Sequence, residues 1–257
     1  MWRFGGRKVL EIAPAWSRPL RRAGLAEFEA FWGRVGRPFK SKPDREIRLL
    51  EIEGRPLFLK RYFRFGWKER LCGAEREWWA VRELSGYGFG VPEPVAFGLE
   101  KGLRPRRAFS LLAAVPGRRL EDLFQEEPEI ALPLAPPLAN LAARFHALGF
   151  SHQDFYLCHL FWDGSRFFLI DLQRVRRSES LRIRWIIKDL AQLFYAARGI
   201  LGEDCREFER VFLQDYARYH PWIRAAKMLK RLESKIRRIA AHDAKIKARS
   251  KVHQRAV

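Results

Sequence analysis

Cysteine is scarce in this chain. Cys72, Cys158 and Cys205 are the only three in 257 residues, far apart and without CxxC spacing. That count and spacing exclude a disulfide framework and a cysteine zinc site, and point to a reducing, cytoplasmic compartment. Long hydrophobic runs are missing too. No stretch approaches the roughly 18 uncharged apolar residues of a spanning helix. Met1–Glu11 mixes Arg3, Arg7 and Lys8 with too few apolar residues for a signal-peptide core. The expectation is a soluble or peripherally attached protein. No internal repeat or low-complexity block is present. Acid is in deficit: 30 Asp and Glu face 50 Lys and Arg, a formal charge of +20. A field of that sign attracts polyanions, whether nucleic acid, an anionic leaflet or a phosphorylated substrate, and does not choose among them.

Apolar material is plentiful, with 47% hydrophobic residues, 14% aromatics and 9 Trp, so global disorder is excluded. The length suits one compact two-lobed enzyme. Glu46–Phe63 reads as two strands turning at Glu53-Gly54-Arg55. Ala74–Ser85 reads as a helix closed by glycines, after which Val91-Pro92-Glu93-Pro94 forces extended chain. Ala108–Val115 is a short apolar strand ending at a linker, Pro116-Gly117. Leu134–Leu148 is a long apolar helix stopped by Gly149. Ser151–Leu160 is a loop rich in His and Asp, and Phe167–Leu172 is a buried strand. Arg184–Arg198 and Asp204–Tyr219 are helical. This order predicts the α+β class with two lobes. A small β-rich N-lobe with one main helix covers 1–115, a mainly helical C-lobe covers 116–222, and a basic tail covers 223–257. From Arg224 onward the tail has 12 Lys or Arg and 2 acids, 12 − 2 = +10. Leu229, Leu232, Ile236 and Ile239 recur at helical spacing, giving a basic amphipathic helix that frays after Ala248. Its apolar side has two possible uses, packing on the C-lobe or lying on a membrane.

Phosphoryl transfer needs few parts: a cation on the phosphates, a carboxylate for the acceptor hydroxyl, and ligands for Mg²⁺. The sequence offers them in the chain order of a protein kinase. Lys60 interrupts the apolar strand Leu57-Phe58-Leu59-Lys60, and a lysine there needs an anionic partner unless it reaches solvent at an edge. Glu77 lies on one helix face with Ala74, Ala80, Val81 and Leu84, and is the candidate partner. In Ser151-His152-Gln153-Asp154-Phe155-Tyr156-Leu157-Cys158-His159, the His-x-Asp opening and the polar residue five after Asp154 match the catalytic-loop pattern HRDxxxxN. Gln153 replaces Arg and His159 replaces Asn. Asp154 is thus the expected catalytic base. Asp171, in Ile170-Asp171-Leu172-Gln173-Arg174, ends a hydrophobic strand where kinases place the metal-binding aspartate. GxGxxG is absent from the N-terminal region. The best phosphate-covering loop is Gly33–Pro43, where Gly36, Arg37, Lys40 and Lys42 could close over ATP, unless it is merely a basic loop.

These residues resemble the bacterial lipopolysaccharide core kinases, the Kdo and heptose kinase (WaaP-like) family. The resemblance runs across residues 36–220. It is carried by FLKRYF around Lys60, GAEREWWAVRELSGYGFGVPEPVAFG, SLLAAVPGRRLEDLF, HQDFYLCHLF, LIDLQRVR and RWIIKDLAQLFY. It implies ATP-dependent phosphorylation of a sugar hydroxyl in the lipid A-linked inner core, at the cytoplasmic face of the inner membrane. In that reading Asp154 is the base, Lys60 and Glu77 anchor nucleotide phosphates, and Asp171 binds Mg²⁺. His159 takes the asparagine's place, acting through water or on phosphate because Mg²⁺ prefers oxygen ligands. Asp189 in the KDL helix is expected to brace the catalytic loop. The missing arginine at 153 and the missing APE-like motif suit constitutive action on a small acceptor. The rivals are a kinase-like phosphotransferase with another acceptor, a pseudokinase scaffold, and a basic nucleic-acid-binding protein. Against the last, no RNA- or DNA-binding motif is present and the aromatics fall in core-like positions, so no nucleic-acid partner is expected.

Overall fold

A computed structural model describes residues 7–33, 35–63, 73–101 and 107–255, with side chains up to residue 248. Cys72 lies outside the described residues. In chain order the first elements are β1 (Arg7–Ile12), α1 (Ser17–Arg22), β2 (Arg37–Lys42), β3 (Arg45–Ile52), β4 (Arg55–Tyr62), α2 (Gly73–Gly86), β5 (Pro94–Lys101) and β6 (Ala108–Ala113). There follow β7 (Arg118–Arg119), α3 (Leu120–Glu126), α4 (Ala131–Ala147), β8 (Phe150–Ser151), β9 (Leu160–Trp162), β10 (Phe167–Leu169) and β11 (Arg176–Arg177). The last are α5 (Ile183–Leu201), α6 (Cys205–Tyr216) and α7 (Ala226–Arg255). Strands dominate the first part and helices the second, the α+β order expected. The chain divides into two units, residues 1–116 with 168–174, and residues 117–167 with 175–257.

The first unit is built on a six-stranded sheet in the order β1-β5-β6-β4-β3-β2. Alternation along β4 sends Leu57, Leu59 and Arg61 to one face and Phe58, Lys60 and Tyr62 to the other. On the first face Trp16, Leu20, Leu25, Phe28 and Phe31, from the segment after β1, close the core over Leu57, Leu59, Phe109 and Leu111. Buried Arg61 is satisfied there by the carbonyls of Phe31 and Gly33, at 2.7 Å each. Helix α2 turns Ala74, Glu77, Trp78, Val81 and Leu84 inward. The 168–174 segment joins this unit where Leu169 N–H donates to the Gly90 carbonyl at 2.9 Å.

Three strands of this sheet differ from the sequence reading. β1 and β5, absent from it, pair antiparallel from Arg7↔Lys101 to Ile12↔Ala96. The Gly33–Pro43 segment contains a strand where a phosphate loop was expected. Arg37–Lys42 pairs with β3, setting Lys40 opposite Ile47. Gly36 has φ +65° and a Cβ there would lie 2.3 Å from the Leu49 oxygen, so close backbone approach accounts for this glycine. The turn of that hairpin is at Pro43-Asp44.

In the second unit α4 begins three residues earlier than expected, at Ala131, with Pro133 in its first turn, where a missing N–H costs nothing. The β8–β11 and β7–β9 pairs are only two residues long each. Helix α7 continues to Arg255, past the expected fraying point, on a sequence rich in Ala, Lys and Arg. Its Leu232 and Ile236 are buried, whereas Leu229 is 40% exposed. Part of the tail's apolar side is therefore spent inside the unit. Among the described residues no helix is long and apolar enough to cross a membrane.

Gly98 faces Phe109 across β5 and β6, and a Cβ at residue 98 would fall 2.1 Å from that ring. The ring is itself stacked on Phe31 at 4.3 Å, so it has little room to yield. Gly98→Ala should cost about 1–3 kcal/mol through overpacking. A denaturant midpoint equal to that of the unsubstituted protein would contradict this packing.

Candidate active site

In the first unit the strand lysine has the partner its setting demands. Lys60 Nζ lies 2.5 Å from Glu77 Oε1 and 3.5 Å from Asp171 Oδ1. Glu77 is fully buried, and its other oxygen accepts from Ser110 Oγ at 2.8 Å. Ser110 is the register partner of Lys60 on the neighbouring strand, so sheet pairing sets both against one carboxylate. Burial pulls the Lys60 pKa down, but the charges of Glu77 and Asp171 outweigh it and the net shift is upward. Lys60 is thus a fixed cation with a carboxylate on either side.

Asp171 follows β10 with φ +56°, an unusual backbone conformation for a non-glycine residue. Its Oδ1 also accepts from Gln173 Nε2 at 2.9 Å, and Gln173 Oε1 accepts from Arg45 at 3.0 Å. A chain of hydrogen bonds thus runs from the turn end of the β2–β3 hairpin to the carboxylate. The strand is shorter than expected. Regular pairing stops at Leu169, and a short helical turn, Leu172–Arg174, carries the chain on.

In the second unit α5 holds the loop before and after Asp154. Asp189, fully buried, accepts from the backbone N–H groups of His152 at 2.7 Å and Gln153 at 2.8 Å. The Gln153 carbonyl accepts from Lys188 Nζ at 2.6 Å and Gln192 Nε2 at 3.2 Å. Phe155 N–H donates to Gln192 Oε1 at 3.0 Å. Gln153 sits at φ +65°, so these bonds hold a strained backbone directly before Asp154. The Asp154 carbonyl accepts from Tyr156 N–H at 3.0 Å and faces His159 Nδ1 at 2.8 Å. A carbonyl only accepts, so His159 carries its proton on Nδ1, and in the neutral ring the lone pair is on Nε2. Behind Asp189, His146 Nε2 is 3.4 Å away and His146 Nδ1 lies 2.8 Å from the Tyr216 hydroxyl. Burial, then the Asp189 charge, raises the Tyr216 pKa well above 10, so the phenol stays protonated. Cys158 is half-buried, and burial pushes its thiol up to about 11.

Lys60, Glu77 and Asp171 thus come together in one unit, and Asp154 and His159 in the other. Gly36 and Lys40 belong to the hairpin arm, where Lys40 is exposed. The sequence reading passed over Ser110, Gln173, Lys188 and Gln192. The signal for Ser110 was present, as the only polar residue of a fully buried strand.

The fold is protein-kinase-like. A solved structure, WaaP in complex with acyl carrier protein, matches with a TM-score of 0.70, covering 90% of this chain and 98% of that one at 24% identity. The model of the lipopolysaccharide kinase (Kdo/WaaP) family matches residues 57–212, more than half of the chain, which therefore belongs to that family. Curated relatives agree. The lipopolysaccharide core heptose(I) kinase WaaP of Pseudomonas aeruginosa is 28% identical over 74% of this chain and 82% of that protein. Its counterpart from Escherichia coli K12 is 28% identical over 69% and 77%. The chain is an enzyme, a phosphotransferase with an alcohol acceptor, and as a kinase it uses ATP.

Two predictions follow from this geometry. Asp189→Asn puts an amide against donors that need an anion, and should destabilise by about 1–3 kcal/mol. Equilibrium unfolding with no loss of stability would show that the loop does not depend on it. Lys60 has an ordinary pKa of 10.5 that the fold raises. Its ion-pair stabilisation is then complete below pH 10.5 and is lost only as pH rises through the higher folded-state value. Stability measured between pH 7 and 10 should show no loss that Lys60→Met removes.

Proposed function

We propose that this enzyme phosphorylates a heptose hydroxyl of the lipopolysaccharide inner core from ATP, with Asp154 as the base. The observation that carries the proposal is the pinned loop, in which α5 immobilises the backbone on both sides of Asp154. The relatives named as heptose(I) kinases favour heptose over Kdo. The carboxylate of Asp154 accepts the proton of the acceptor hydroxyl as its oxygen attacks the terminal phosphorus. Lys60, steadied by Glu77, suits the phosphate oxygens as a permanent cation. Asp171 offers the hard oxygen ligand that Mg²⁺ prefers, while His159 presents an imidazole nitrogen better matched to a phosphate or a metal-bound water. Bound Mg²⁺ would neutralise charge on the transferring phosphoryl group. Gly36 and Lys40 enter as the arm of the hairpin whose Pro43-Asp44 turn stands, in chain order, where kinases carry a phosphate-covering loop. The acceptor is lipid-linked, which places the work at the cytoplasmic face of the inner membrane. The basic surface of α7 suits peripheral attachment to that anionic leaflet, at about 1 kcal/mol per cation near it.

Asp154→Ala should lower kcat by about 10²–10⁴-fold, the usual share of a positioned base, with ATP binding and thermal midpoint retained. Labelled ATP and lipopolysaccharide acceptors truncated at successive core sugars provide the assay. Transfer surviving within tenfold would remove Asp154 from the mechanism, and labelling of an acceptor that lacks heptose would remove the sugar assignment.

A further inference from the structure

The first turns of α5 and the N-terminal half of α7 enclose a cleft of about 870 Å³. Seven of its eleven lining residues are Lys or Arg and none is acidic, so its field is of one sign. Arg184 and Lys188 come from α5, and Lys230, Arg231, Lys235 and Arg238 from α7. The acids of α7 are turned to other work. Glu233 pairs with Arg198 at 2.8 Å, and Asp243 accepts from the Tyr195 hydroxyl at 2.6 Å. Neither helix has an acidic residue in its first turn, where the helix dipole favours one. Like charges gathered around a concavity repel one another and concentrate anions within it.

Two features indicate which anion. Trp185 lines the same cleft, one face of its ring covered by the Arg184 guanidinium at 4.5 Å, and with the exposed Ile183 it gives an apolar edge against which the C–H face of a sugar can pack. Lys188 joins the cleft to the catalytic loop, because its ammonium donates to the carbonyl of Gln153, the residue before Asp154. A flat leaflet of phosphodiesters would not fill the concavity.

We propose that this cleft is the anion subsite for the acceptor. It binds phosphate monoesters already on the glycan and so presents the sugar hydroxyl to Asp154. The proposal rests on the kinase reading and adds a place where the acceptor's charge is recognised. The groups already on the acceptor must then have been added by an earlier phosphorylating reaction.

The test uses the full-length enzyme and a deacylated, phosphorylated core oligosaccharide, which is water-soluble and free of lipid. Lys230→Gln, Arg231→Gln and Arg238→Gln are combined, at exposed positions where glutamine keeps helix propensity. Calorimetry should show the unsubstituted enzyme binding this glycan at least about tenfold tighter than its phosphatase-treated form, a preference the triple variant loses. The acceptor KM should rise by about the same factor, with the ATP KM unchanged and the preference retained by the corresponding lysine and arginine exchanges. A triple variant that unfolds is replaced by Arg238→Gln alone, read in the same way. An undiminished preference for the phosphorylated glycan overturns the proposal. So does a loss confined to phosphatidylglycerol vesicles, which would assign the cleft to the leaflet. If the unsubstituted enzyme transfers no phosphate to the glycan yet the triple variant still loses its binding, the kinase reading fails and the subsite stands.

Discussion

A single buried negative charge organises the loop on which catalysis is proposed to turn. Asp189 has no solvent to stabilise it, and removing a carboxylate from water costs several kcal/mol unless hydrogen bonds replace the hydration. Two successive backbone N–H groups, those of His152 and Gln153, supply that replacement. Because the donors are main-chain groups, satisfying Asp189 also fixes the path of the chain. Lys188 and Gln192 then hold the carbonyl and amide groups on either side of Asp154, so residues within about one turn of α5 act on both flanks of the loop. Helix α5 in turn lies under α7, through Leu232 and Ile236 and the Arg198–Glu233 ion pair.

The first unit solves the same problem with the signs exchanged. Lys60 is a half-buried cation on a strand, and its neighbours are chosen by sheet geometry. Glu77 comes from the helix over that face, Ser110 from the paired strand, and Asp171 from the returning segment. Sub-optimal backbone is tolerated where it serves this arrangement. Of the three described non-glycine residues with positive φ, Glu53 makes a hairpin turn, whereas Gln153 and Asp171 adjoin or form the proposed chemistry.

Legibility in the sequence followed the contrast between a residue and its surroundings. Lys60 and Glu77 stood out because each breaks an apolar pattern, and the β3–β4 hairpin and α2 showed clear periodicity. Ser110 breaks a pattern equally well, but a hydroxyl in a strand signals less than a charge does. Lys188 and Gln192 flank Asp189 in KDLAQL, and their role depends on backbone groups 35 to 39 residues away that no local pattern reports. β1 was hidden because RKVLEI is an exposed-to-half-buried edge strand rich in charge. β2 reads as a loop because Gly, Pro and Lys mark loops by composition, whereas here a neighbouring strand supplies the hydrogen bonds. The paired segments of the second unit are too short to carry a period at all.

β2 also has a bearing on how copies of this protein meet. It is one edge of the six-stranded sheet, β1 being the other, and every one of its residues is exposed. An open border is a template on which another chain's strand can assemble. Its sequence, RPFKSK, works against that outcome. Proline removes one donor, and Arg37, Lys40 and Lys42 make any two such borders repel when they approach. Intermolecular sheet growth is thereby discouraged at the place where the fold would otherwise invite it.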